Sequence, residues 1–137
     1  MDRERIMDDI TFEEFVMKYE GKIRDVADLL SKPFGDNIPI LEEQISTVCT
    51  RMEFISWCFA MSGAFLMNAR ATKLTAKGEA SEKERQIRVD DACKREEFVR
   101  DWLENMNKNI DRYVSNAQSV LATKRMEISK LGYGGET

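Results

Sequence analysis

Residues 40–75 read ILEEQISTVCTRMEFISWCFAMSGAFLMNARATKLT, and this stretch decides the fold. It contains no proline and one glycine, Gly63; from there the chain runs on to Leu131 with Gly78 as the only further breaker. Proline and glycine are the residues that end helices. The span from Ile40 to Leu131 is therefore expected to form one long helical hairpin that turns around Gly78, between Thr75 and Ala80. Leu41, Ile45, Val48, Met52, Ile55, Phe59, Ser62, Leu66 and Ala69 recur at alternating steps of four and three, the spacing that lays a seam along one side of a coiled-coil helix. The expected fold class is all-α: a long antiparallel helical hairpin with a packed N-terminal helix, built like a bundle or coiled coil.

Phe54, Trp57, Cys58, Met61, Phe65 and Met67 lie off that seam and make residues 54–67 apolar almost all round, so the helix needs cover on several sides. A membrane span needs about 20 apolar residues. This run is shorter, and Arg51, Glu53 and Arg70 close its ends, so no membrane partner is expected. Gly63, between Ser62 and Ala64, forms a small patch open to the close approach of another helix. The third helix opens at Ser81 and Glu84 in capping-box spacing and carries Val99, Leu103, Met106, Ile110, Tyr113, Ala117, Val120, Leu121, Ile128 and Leu131 on its seam. A fold-back centred on Gly78 sets Trp57 near Val99 and Phe54 near Trp102, and leaves the segment from Gln118 to Leu131 overhanging. Phe54, Trp57, Met61, Phe65 and Trp102 exceed what two helices can cover. Self-association through them, as a homodimer, follows as an expectation.

The first helix begins at Thr11. Thr11 and Glu14 have capping-box spacing, and Ile10 and Phe15 sit at the two positions of a hydrophobic staple. Phe12, Phe15, Val16, Tyr19, Ile23, Val26, Ala27 and Leu30 form its apolar stripe. Lys32 to Asn37 punctuates the chain with Pro33 and Gly35, and Asn37 or Ile38 before Pro39 fits the start of the next helix. One domain over 1–137 is expected, with helices at 10–31, 38–75 and 81–131 and a flexible tail at 132–137, where Gly132, Gly134 and Gly135 cluster.

At 137 residues, 42% hydrophobic and 34% charged, the chain is too apolar for a disordered protein and long enough to bury roughly 70% of its unfolded surface. Cys49, Cys58 and Cys93 match neither a zinc nor a redox spacing and lie in apolar helical contexts. They read as reduced core residues, all three unreactive, in a cytoplasmic setting. Residues 1–9 lack the apolar stretch of a secretory signal.

Charge is uneven. Arg70, Lys73, Lys77, Lys83, Arg85 and Arg88 make the hairpin tip basic, whereas residues 1–36 carry ten acidic and six basic side chains. The tip is the expected partner-binding surface, for a protein or, as the alternative, for nucleic acid. No aromatic residue is interleaved with those cations, which lowers the case for single-strand binding. Catalysis has less support. The chain has no histidine, the commonest acid–base residue and metal ligand, and no phosphate-binding glycine loop or nucleophile elbow. No cofactor site is read. Glu96, Glu97, Asp101 and Glu104 form the best carboxylate cluster, of the kind that holds Mg²⁺ in all-helical nucleotide pyrophosphohydrolases.

The run from Trp102 through Glu104, Asn105, Asn107, Asn109 and Asp111 to Ser119, Leu121 and Glu127, after the charged segment Ser81 to Arg88, resembles the last helix of small helical-hairpin accessory proteins of phages and mobile elements. That resemblance implies a non-enzymatic interaction protein. The class includes recombination helpers and inhibitors of host defence of the anti-CRISPR type. The first helix lies outside it, and no functional residue carries over.

Overall fold

The computed structural model describes residues 10–75 and 82–136, and within them side chains other than those of 74, 75, 85 and 132–136. Four helices follow one another: α1 (Phe12–Ser31), α2 (Ile38–Thr75), α3 (Glu82–Ala92) and α4 (Lys94–Glu136). Helix α1 starts where the local signals place it. The Thr11 hydroxyl accepts the Glu14 backbone N–H at 3.2 Å, satisfying one of the donors that a helix start leaves unpaired. Asn37 does the same for α2, its Oδ1 accepting the Ile40 N–H at 3.0 Å. Between them Gln44 holds the loop: its Oε1 accepts the Gly35 N–H at 2.8 Å and its Nε2 donates to the Pro33 carbonyl at 2.9 Å. A Cβ on Gly35 would stand 2.8 Å from the Ile40 Cβ, so only glycine permits this approach.

The seam expected on α2 is the one that packs. Leu41, Val48, Ile55, Ser62 and Leu66 are buried, and Ile45, Met52, Phe59 and Ala69 are half-buried. They face Leu103, Met106, Ile110, Tyr113, Ala117 and Leu121 of α4, all buried. Glu42 meets Arg125 at one end of the pair and Arg70 meets Glu97 at the other, so α2 and α4 run antiparallel. The register differs from the Gly78-centred one. That register sets Glu42 opposite Val114, whereas Arg125 lies about three helical turns further along. Trp57 therefore does not meet Val99. The shift also removes most of the expected overhang, because Gln118, Leu121, Ala122 and Arg125 lie against Glu42, Ile45 and Ser46. Only beyond Arg125 does α4 expose Ile128 and Leu131.

The returning arm is also not the single helix from 81 onward that was expected. It breaks at Cys93, between α3 and α4. The Lys73 ammonium donates to the Ala92 carbonyl at 2.7 Å, and a side chain that engages a carbonyl of the ladder is one of the recognised causes of a kink. Leu66, Val89 and Cys93 close a small core of their own beneath the joint. At the other end α4 continues through Gly132, Gly134 and Gly135 to Glu136, where a tail was expected. Each glycine costs about 1 kcal/mol of helix propensity without forbidding the conformation.

Helix α1 lies antiparallel to α2 and parallel to α4, and it supplies the cover that the apolar middle of α2 requires. Phe12 meets the Phe65 ring edge-on and Phe15 meets it tilted, with ring centroids 5.9 and 5.4 Å apart. Tyr19 reaches Trp57 at 5.1 Å and Phe54 at 5.9 Å. Phe34 then anchors the loop on Tyr113 at 5.1 Å. No helix among the described residues is long and apolar enough to cross a membrane.

Candidate functional site

Polar side chains tie α1 to α4 at Arg95 and at Arg24, on either side of a groove. At one end Arg95 grips Glu13 through both guanidinium nitrogens, the outer pair at 2.9 Å, and its guanidinium lies 5.7 Å from the Phe12 ring centre. That hydrogen bond holds the Glu13 carboxyl below its ordinary range and the Arg95 guanidinium above its own. At the other end the Arg24 guanidinium sits 5.7 Å from the Trp102 ring centre while its Nη2 pairs with Glu20 at 2.8 Å. Between these ties lies a groove of about 580 Å³. Its α1 side is Phe12, Phe15, Val16 and Ile23; its α4 side is Phe98, Val99 and Trp102. Phe98 is 70% exposed there. Four charged side chains, Glu20, Arg24, Lys94 and Arg95, complete the lining. Such a volume, apolar with a few polar groups at its edges, falls in the range typical of ligand and partner sites.

The self-association set divides across this architecture. Phe54, Met61, Phe65 and Trp102 belong to the main core, Trp102 also lining the groove, while Trp57 lies outside it and meets the Phe15 and Tyr19 rings. Helix α1 thus reaches the belt that was expected to need a second subunit. Trp57 keeps 38% exposure. Gly63 meets nothing within 4 Å of a built Cβ, so no described helix uses its small patch.

The basic tip is also divided. Lys77 lies outside the described residues, as does the side chain of Arg85. Arg70 bridges to Glu97 at 3.7 Å and Asp90 at 4.0 Å, with a buried Nε that has no partner among the described residues. Lys73 is tied to Ala92. Lys83 and Arg88 are exposed on α3. Arg70 and Lys73 therefore hold the tip together, where the sequence suggested side chains turned outward.

The carboxylate cluster is dispersed among cations: Glu97 with Arg70, Asp101 with Arg100 at 2.8 Å, and Glu104 with Lys108 at 3.4 Å. Among the described residues no three His, Cys, Asp or Glu side chains are placed to hold a metal. Of the cysteines, Cys58 and Cys93 are buried and Cys49 is exposed, against the expectation of three core thiols. Cys49 follows the seam residue Val48 by one position, and one step rotates a helical side chain by about 100°. Burial pushes the Cys58 thiol up to about 12 and raises that of Cys93.

The groove was not assigned from sequence. Its signal was there in part: Phe98 beside Val99, with Trp102 one turn on, widens the α4 stripe beyond what α2 alone covers. What no pattern supplied is that α1 would lie parallel to α4 at that height. Comparison with family models, with curated proteins and with solved structures finds no match to this chain.

Proposed function

We propose that this protein acts by binding a macromolecular partner, a protein in the first instance, and that the α1/α4 groove is its contact surface. The observation that carries this reading is Phe98, a large aromatic side chain left 70% exposed beside an apolar groove with charged margins. An exposed aromatic next to unfilled apolar volume is the usual anatomy of a binding hot spot. The pairing of Glu97, Asp101 and Glu104 with cations supports contact over Mg²⁺-dependent hydrolysis. Within the contact class, the resemblance of the last helix makes an inhibitor of host defence the first form to test.

A second reading rests on Lys83 and Arg88, exposed on α3: contact with nucleic acid, which would weaken steeply as salt rises. The two separate in one experiment, with a photo-crosslinking amino acid placed at Phe98, at Arg88 or, as control, at exposed Ser115. A discrete protein adduct at position 98 and none at 115 is the expected result. Nucleic-acid adducts at 88 alone would transfer the assignment to the tip. Nucleoside triphosphate hydrolysis that is lost in the Glu96→Gln, Glu97→Gln variant would replace contact by catalysis.

A further inference from the structure

We infer that the joint between α3 and α4 at Cys93 is a two-state hinge: in this structure α3 folds onto α2, and in the other state it swings into line with α4 as one continuous helix. The hinge is independent of the groove and acts on the tip.

Helix α3 needs a neighbour. It has 11 residues, seven of them charged, and Val89 is its one buried side chain among those described. A helix shorter than about 12–15 residues is marginal in water without support. That support comes from α2, as it does here, or from continuation of α4. The sequence permits continuation, because no proline or glycine lies between Ser81 and Leu131 and nothing local demands a break at Cys93.

The backbone at the joint is already close to continuous. The Cys93 N–H reaches the Val89 carbonyl at 3.0 Å, and the Glu97 N–H reaches the Cys93 carbonyl at 3.0 Å. Between these bonds the N–H groups of Lys94 and Glu96 stand at the start of α4, outside both helical ladders. A continuous helix closes them on the Asp90 and Ala92 carbonyls. The Ala92 carbonyl is taken instead by the Lys73 ammonium at 2.7 Å. Arg70 adds a second tie, reaching Asp90 of α3 at 4.0 Å and Glu97 of α4 at 3.7 Å. Leu66 completes the hold by clustering with Val89 and Cys93. A few contacts to α2 thus oppose the few backbone bonds that straightening restores, and an equilibrium balanced on so few contacts is tipped by differential binding to either state.

The chain has the length for both states. The Arg70–Glu97 contact sets Thr75 level with Ala92, so an in-line α3 places Glu82 about 15 Å further along the axis. The seven peptide links from Thr75 to Glu82 span up to about 24 Å. Bent, the joint occupies Arg70 and Lys73, two of the cations expected on the tip. In line, it releases both to an anionic partner, and Cys93 loses the cover of Leu66.

The test uses the purified full chain in a Cys49→Ser background, with Lys73→Met and Asp90→Asn introduced together. Both substitutions spare Leu66, Val89 and Cys93. Thiol labelling is followed by mass spectrometry and amide exchange by NMR. Relative to the parent, Cys93 is expected to label about tenfold or more faster with Cys58 unchanged, while the Lys94 and Glu96 amides exchange about tenfold or more slower. Asp90→Asn alone, a change at the surface, should move the same rates in the same directions by a smaller factor. Lys73→Arg, which keeps a donor for the Ala92 carbonyl, should leave them at parent values. The hinge is overturned if Cys93 labelling changes by less than about threefold, or if Cys58 accelerates with it, which is global loosening. It is equally overturned if Cys93 accelerates while Lys94 and Glu96 exchange as fast as in the parent, because α3 then unfolds where it should swing.

Discussion

The three cysteines show how one step along a helix separates opposite chemistries. Cys49 and Val48 are neighbours in the chain, yet Val48 is 1% exposed and Cys49 faces solvent. At pH 8 a thiol reagent should therefore modify one cysteine rapidly and the other two only after denaturation, and Cys49→Ser should abolish the fast phase. Fast labelling of two or more thiols in the native protein would contradict the placement of Cys58 and Cys93. Cys58 adds a pH dependence. Its folded thiol titrates at about 12 against an ordinary 9.0, so between these values the unfolded chain releases a proton that the folded chain retains. The unfolded state then binds fewer protons, and stability falls as pH rises. The expected loss is about 1.4 kcal/mol per pH unit at most from this group, confined to pH above 9, and urea unfolding of native and Cys58→Ala proteins should show a steeper fall in the native chain, Cys93 and Tyr113 contributing to both. Equal slopes in both would mean that another group, Tyr113 with its raised phenol being the nearest case, sets the alkaline limit.

At the scale of the element, α1 has the clearest local signals and docks through an aromatic face. Thr11, Glu14, Ile10 and Phe15 marked its start in the sequence, because capping depends on a few residues close in the chain. Its destination was not legible, since a stripe of apolar residues says that a face is covered and not by what. The structure answers with aromatic pairs to α2, among which Phe15 is fully buried against Phe65 and Trp57. Phe15→Ala should cost about 3–5 kcal/mol and make Trp57 more accessible to a neutral quencher such as acrylamide. Met17→Ala on the outer face of the same helix, at 83% exposure, should change stability by less than about 0.5 kcal/mol. Equal small effects of the two would show that α1 does not dock as described. The joint at Cys93 is the opposite case. No proline or glycine marks it, and the contacts gathered there, Lys73 on Ala92 and Leu66 with Val89 and Cys93, come from residues distant in sequence.

For the whole molecule the question left by the sequence was register, and with it which apolar surface remains. The seam of α2 was readable because its period repeats from Leu41 to Ala69, but two periodic helices can pair in several registers offset by whole turns. Choosing among them needs the knowledge that a short separate helix, α3 (Glu82–Ala92), stands between α2 and α4. Helix α1 covers part of the aromatic middle, Phe54 through Tyr19 and Phe65 through Phe12 and Phe15, and leaves Trp57 38% exposed. Large apolar side chains are also exposed at Met67 of α2, at Ile87 of α3, at Phe98, and at Met126, Ile128 and Leu131 near the end of α4. The register can be checked directly. In a Cys49→Ser background, a short bismaleimide should link Ser46→Cys to Ala122→Cys within one chain, because Ser46 and Ala122 border the same cleft. It should fail to link Ser46→Cys to Asp111→Cys, about three turns away on α4, which the Gly78-centred return would bring together. Both cross-links are read as mobility shifts on denaturing gels at low protein concentration. A strong 46–111 product with no 46–122 product would place the return at Gly78 after all. It would also slide Trp102 away from Arg24 and dissolve the groove on which the proposed contact depends.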